Sequence, residues 1–194
     1  MLRSATLRKP LSLDEFLAWE VQQELRWEFD GFAPVAMTGG TLAHGIIQGN
    51  LNAALNIRLR STSCRAVGSD VAIEAAGSIR YPDVFVYCSA LPPGTRVVTE
   101  PVVVFEVLSP TTADTDFGVK NVEYRDTPSI KRYVLIAQDH QRATVFARFN
   151  GDWVGHIVTE GALLEMPEIG IDVPLAELYD GVPLGGASIA DSVA

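Results

Sequence analysis

The chain has 194 residues, 47% of them hydrophobic and 20% charged, with 24 acidic against 15 basic side chains and a formal net charge of −9. This is the composition of one soluble globular domain long enough to bury a core, and no stretch approaches the roughly 20 apolar residues of a membrane span. The expectation is a single cytoplasmic domain over 1–194 without membrane contact, and the charge excludes nucleic-acid binding driven by the field of the whole protein.

The acid excess is local. From Asp139 to Ala194 there are nine acidic residues and only Arg142 and Arg148 as basic ones, so the first 138 residues are close to neutral. Local or metal-assisted nucleic-acid binding therefore stays open. Cys64 and Cys88 are far apart in sequence, each in or beside a strand-like segment, and are expected to be reduced structural thiols.

In chain order, Ser12-Leu13-Asp14-Glu15 is a capping box that opens a helix over 13–25. Residues 27–37 read as a hairpin broken at Asp30-Gly31, and Thr38-Gly39-Gly40 as a loop. A second helix is expected over 44–59, where Ile47, Leu51, Leu55 and Leu59 recur every four residues. Gly45 and Gly49 weaken it or let another element pack close. Short strands follow at 65–67, 71–75 and, after Pro82-Asp83, at 84–88. The apolar run 102–108 is the central strand, ended by Ser109-Pro110. A helix over 115–125 is stopped by Thr127-Pro128, and 132–137 forms the next strand. Residues 143–149 and 153–158 make a hairpin across Asn150-Gly151. Residues 175–179 form a last helical turn, and the tail from Gly185 to Ala194 is expected to be frayed. The sum is a mixed α/β domain with one central sheet.

Glu106 stands out. It lies in Val102-Val103-Val104-Phe105-Glu106-Val107-Leu108, a run that reads as a strand covered on both faces. A carboxylate there must be paired, bound to a metal or protonated. Asp83 stands at the entrance to a neighbouring apolar strand. If the two strands pair, both acids converge at one sheet edge, an arrangement that suits the oxygen shell of Mg²⁺. Lys120, in the following helix, could aim an ammonium at the same point.

Each of these residues also has a plainer reading. Glu106 could be a structural acid paired with Lys120 or an arginine. Asp83 could be a turn residue. Lys120 could form an exposed helix pair with Asp116. Tyr124, one turn further, reads as packing, and His44 as a residue that caps or orients its helix. His140 and His156 lack zinc-ligand spacing. A Walker loop, a dinucleotide fingerprint, a Gly-x-Ser-x-Gly elbow and a Cys-x-x-Cys pair are all missing.

Pro82-Asp83, Glu106-Val107-Leu108-Ser109-Pro110 and Asp116-Phe117-Gly118-Val119-Lys120 with Tyr124 resemble the Uma family of restriction-endonuclease-like proteins of bacteria, abundant in cyanobacteria. Phe16-Leu17, Trp27-Glu28-Phe29-Asp30-Gly31, Met37, His44 and Tyr133-Val134-Leu135-Ile136 extend the resemblance over about 11–182. The family is similar to PD-(D/E)xK nucleases. The resemblance implies an α/β (α+β) restriction-endonuclease-like core with a central mixed sheet flanked by helices, plus added hairpins. It further implies a Mg²⁺- or Mn²⁺-dependent endonuclease acting on DNA, with Asp83 and Glu106 as metal ligands, Lys120 as the catalytic lysine and Glu28 as an accessory acid. One departure stands beside it: a Glu-x-Lys pattern would put lysine at position 108, where this chain has Leu108. A homodimer or higher homo-oligomer is expected by analogy with nucleases that cut both strands. The alternative is a nuclease fold kept for binding or assembly without catalysis, which the acidic last third favours.

Overall fold

The computed structural model describes residues 10–37, 39–109 and 113–184. Thr38, Pro110 and the tail from Gly185 lie outside the described residues, and so do the readings made of them.

The apolar run around Glu106 becomes β8 (Pro101–Val107), buried along almost its whole length. It lies inside a six-stranded sheet with β3 (Arg65–Gly68), β6 (Val84–Tyr87), β9 (Arg132–Ile136), β10 (Arg142–Phe149) and β11 (Asp152–Thr159), in the order β11-β10-β9-β8-β6-β3. Only β8 and β9 run parallel within it. This is the expected central mixed sheet.

Side chains alternate between its faces. Val103, Phe105 and Val107 pack with α2 (Leu42–Leu59), which contributes Ile47, Leu51, Leu55 and Leu59, all buried. Val104 faces the other way, toward Tyr124 and Tyr133. Glu106 shares the parity of Val104 and points to that second face.

A single sheet is not the whole architecture. A five-stranded sheet, β2-β1-β5-β4-β7, is built from β1 (Trp27–Phe29), β2 (Pro34–Ala36), β4 (Ala72–Ala75), β5 (Ser78–Arg80) and β7 (Val97–Val98). It carries its own small core with Phe16 of α1 (Leu13–Glu20). A two-stranded ribbon, β12 (Leu163–Met166) with β13 (Ile171–Pro174), completes the set. The strands β5 and β7, of three and two residues, are too short for periodicity to reveal.

The capping box forms, with Ser12 Oγ accepting from Glu15 N–H and Glu15 reaching back to Ser12 N–H. The helix it opens ends at Glu20 rather than 25, where Gln22 and Gln23 N–H groups turn back tightly onto Trp19 and Glu20 carbonyls. Asn150 and Gly151 adopt φ of 51° and 92°, the left-handed pair that a two-residue hairpin turn requires. Gly45 and Gly49 serve no close approach, since an added Cβ would meet nothing within 4 Å.

The thiols expected to be reduced are joined. Cys64 and Cys88 form a disulfide. The reason is register: Arg65 pairs with Tyr87 across β3 and β6, so the cysteines face each other one position beyond the ladder, a proximity that 24 residues of separation conceal in sequence.

Candidate active site

The β6–β8 register sets Val84 opposite Phe105. Continued by one position, it sets Asp83 opposite Glu106. Both then lie on the face that carries Phe85 and Val104. The two acids meet because antiparallel pairing brings the start of one strand beside the end of the other.

The third component arrives on the segment after β8. It runs through α3 (Ala113–Thr115), a π turn (Asp116–Lys120) and α4 (Asn121–Asp126). The expected helix over 115–125 is therefore interrupted by a wider turn, a distortion often found at functional sites. Its polarity is inverted. Asp116, Lys120, Glu123 and Tyr124 are buried, whereas Phe117, Val119 and Val122 are exposed. Asp116 and Lys120 are thus not the exposed helix pair of the plainer reading.

Lys120 Nζ lies 2.9 Å from Glu106 Oε1, 3.1 Å from Asp116 Oδ1 and 3.6 Å from Glu28 Oε1. Tyr124 Oη donates to the same Glu106 oxygen at 3.1 Å. Asp83 Oδ2 accepts from Val107 N–H at 2.7 Å and lies 3.1 Å from His44 Nε2. His44 does not cap α2 with its ring; Thr41 Oγ1 caps the helix by accepting from His44 N–H. Gly40 makes room for that ring, since a Cβ there would stand 2.9 Å from His44 Cγ and Nδ1. Asp83, Glu106, Lys120, His44, Asp116 and Glu28 all border one cavity of about 250 Å³. Leu108 packs against the core instead, so the lysine reaches Glu106 from the π turn.

Glu28 does not face solvent. Its Oε2 accepts from Arg80 Nη1 at 3.0 Å and its Oε1 from Tyr81 N–H at 3.2 Å. Arg80 is 2% exposed and also donates twice, at 2.7 Å each, to Glu123, which further accepts from Ser78 Oγ at 2.8 Å. Sequence reasoning passes over Arg80 and Glu123. Their signals are a charge inside Ser78-Ile79-Arg80-Tyr81, the same anomaly as at Glu106, and a glutamate on the helix face that carries Lys120.

Burial pushes the Glu106 carboxyl up to about 8; Lys120 opposes this, and the negative charges of Asp83, Asp116 and Glu28 add to it. Burial opposes the charge on Lys120, but Glu106, Glu28 and Asp116 more than offset it and hold the ammonium above its usual range. The hydrogen bond to Asp83 raises His44 above its ordinary value against the effect of burial.

Among the described residues no three His, Cys, Asp or Glu side chains are grouped closely enough to hold an ion by themselves. Mg²⁺ asks for less, since it is held by one or two carboxylates and keeps much of its water. Asp83 and Glu106 fit that demand. Among the described residues, their hydrogen bonds fall on Asp83 Oδ2 and Glu106 Oε1. Beyond burial, the negative charges of Asp83, Asp116 and Glu28 that add to the rise at Glu106 are what a divalent cation would relieve.

The crystal structure of a putative nuclease of the DUF820 group from Anabaena variabilis matches with a TM-score of 0.74 at 19% identity, over 89% of this chain and 99% of that one. At that identity the likeness shows the fold alone. The uncharacterized protein slr1290 of Synechocystis sp. is 30% identical over 176 residues, 89% of this chain and 93% of its own length. The family profile Uma2, described as "putative restriction endonuclease", matches residues 13–176. With five-sixths of its length under that profile, the chain belongs to the Uma2 family.

Proposed function

We propose that this protein is an endonuclease that hydrolyses DNA phosphodiester bonds with Mg²⁺ or Mn²⁺. Asp83 and Glu106 are the metal ligands, Lys120 the catalytic lysine and Glu28 the accessory acid. The observation that carries this reading is the convergence of Asp83, Glu106 and Lys120, from two paired strands and the following π turn, on one cavity. Family membership and the nuclease fold support it.

A bound divalent cation supplies stabilisation of the charge that builds on the phosphate during hydrolysis. The chain's own residues do the rest. Lys120 brings a positive charge to the cavity wall, where it can orient an attacking water and stabilise negative charge away from bulk solvent. Glu28, held by Arg80 and Tyr81 N–H, limits where the ammonium can go. His44 and Val107 N–H fix the rotamer of Asp83. Attraction for DNA is local, because the net charge of −9 repels it at long range.

Wild type is expected to nick plasmid DNA in the presence of Mg²⁺ or Mn²⁺ and to lose that activity on chelation. Asp83→Ala should be at least about a hundredfold slower, since even outer partners of metal sites are worth 10–100-fold. Equal cleavage by both proteins would remove the assignment.

A second reading, a nuclease fold kept for binding or assembly, has one observation of its own: Glu106 Oε1 and Asp83 Oδ2 are already satisfied within the protein. It predicts no heat of binding when Mn²⁺ is titrated to millimolar concentration.

Self-association belongs to the proposal. β11 is the eight-residue edge of the six-stranded sheet, with Val154 and Ile157 exposed and no lysine or proline to discourage pairing. Sedimentation velocity should show a dimer or larger species; a monomer at all concentrations would refute this part.

A further inference from the structure

Lys120 is one cation among three carboxylates, and they do not hold it equally. Its ammonium donates to Glu106 Oε1. Glu28 is committed to Arg80 and Tyr81 N–H. Asp116 Oδ1 is 3.1 Å from Nζ, yet it is sealed from solvent and accepts no hydrogen bond. The distance allows a bond that the angle does not.

A buried carboxylate oxygen without a hydrogen bond is costly and calls for an explanation. Asp116 is 1% exposed and borders the cavity. Its backbone is anchored, since Tyr133 Oη donates to its carbonyl at 3.1 Å. The residue is therefore held in place with an oxygen that is ion-paired to Lys120 but accepts no hydrogen bond from it.

We propose that Asp116 is the second seat of Lys120. The ammonium leaves Glu106 for Asp116, and Glu106 is then rid of the cation that competes with a divalent ion. This rests on the metal-dependent reading of the site. In the present arrangement Lys120 and Tyr124 share Glu106 Oε1. A cation drawn to that carboxylate repels an ammonium 2.9 Å from it. The transfer is short, because Nζ already stands 2.9 Å from Glu106 Oε1 and 3.1 Å from Asp116 Oδ1. Asp116 is thus a positioning residue that acts through Lys120.

The test is uptake of Mn²⁺ alone by the full chain, read from the paramagnetic resonance signal of the free ion. Wild type, Asp116→Asn, Lys120→Met and the double variant are compared. Asp116→Asn is expected to weaken Mn²⁺ binding roughly tenfold or more when Lys120 is present, but by no more than about threefold once Lys120 is methionine, a coupling of the size seen for residues in direct contact. Asp116→Ser, which also removes the charge, should repeat the pattern. Equal losses with and without the lysine overturn the proposal, because a direct ligand or a simple charge needs no lysine. An unchanged affinity in Asp116→Asn overturns it too. Wild type that takes up no Mn²⁺ sinks the metal-dependent reading itself and this proposal with it; wild type that binds Mn²⁺ without the coupling sinks this proposal alone.

Discussion

Glu106→Gln should abolish DNA cleavage, by at least about a hundredfold, while leaving the fold intact. The amide keeps an oxygen to accept from Lys120 and Tyr124, but it loses the charge and the second oxygen that a divalent cation requires. The same variant separates the electrostatics from the chemistry. The folded carboxyl is raised from 4.5 to about 8, mainly by burial. Between those values the unfolded chain has released the proton and the folded protein retains it. The folded state therefore binds more protons, and stability falls as pH rises through that window. The slope reaches at most about 1.4 kcal/mol per pH unit. Glutamine does not titrate. In urea unfolding with chelator present, wild type should lose ground to Glu106→Gln between pH 5 and pH 7.5. Parallel pH profiles for the two proteins would show that Glu106 is ionised in the fold and stably paired with Lys120.

Arg80→Met is expected to cost about 3–5 kcal/mol of unfolding free energy, the usual result of removing one partner from a buried ionic cluster. Arg80 alone faces Glu28 and Glu123 with its guanidinium, through bonds of 2.7 to 3.0 Å. Methionine fills much of the same volume, so the loss is electrostatic rather than a cavity. Among the described residues it leaves the two buried carboxylates Ser78, Tyr81 N–H and Lys120 at 3.6 Å as partners. Adding Glu28→Gln and Glu123→Gln should recover most of the loss, because the uncompensated charges are then gone. A loss below about 1 kcal/mol in Arg80→Met would mean that the cluster is solvated and contributes as little as a surface ion pair.

These residues show unequally in the sequence. Glu106 is legible because a charge interrupts an apolar, β-branched run that reads as a covered strand. The long helix α2 and the Asn150-Gly151 hairpin are legible because period and turn chemistry are local properties. Arg80 carries the same kind of anomaly as Glu106, but β5 is only three residues long, too short to display a pattern that its charge could violate. The inward face of Asp116, Lys120 and Tyr124 is hidden for another reason. A four-residue spacing of charges on a helix ordinarily marks a solvated face, and only a buried partner across the sheet reverses that expectation. The cysteine pair is hidden because bonding depends on the register of two strands, not on spacing along the chain.

By itself, then, the sequence determined the central covered strand with its anomalous acid, the main helices, the principal hairpin and the family resemblance. All rest on interactions between residues near one another in the chain, or on an ordered set of motifs. The tertiary structure alone decided that Asp83 faces Glu106, that Lys120 turns inward on a π turn, and that Arg80 ties Glu28 to Glu123. Those outcomes depend on strand register and on how buried charges are neutralised. The free energy of a buried charge is set by neighbours that the chain brings together only when it folds.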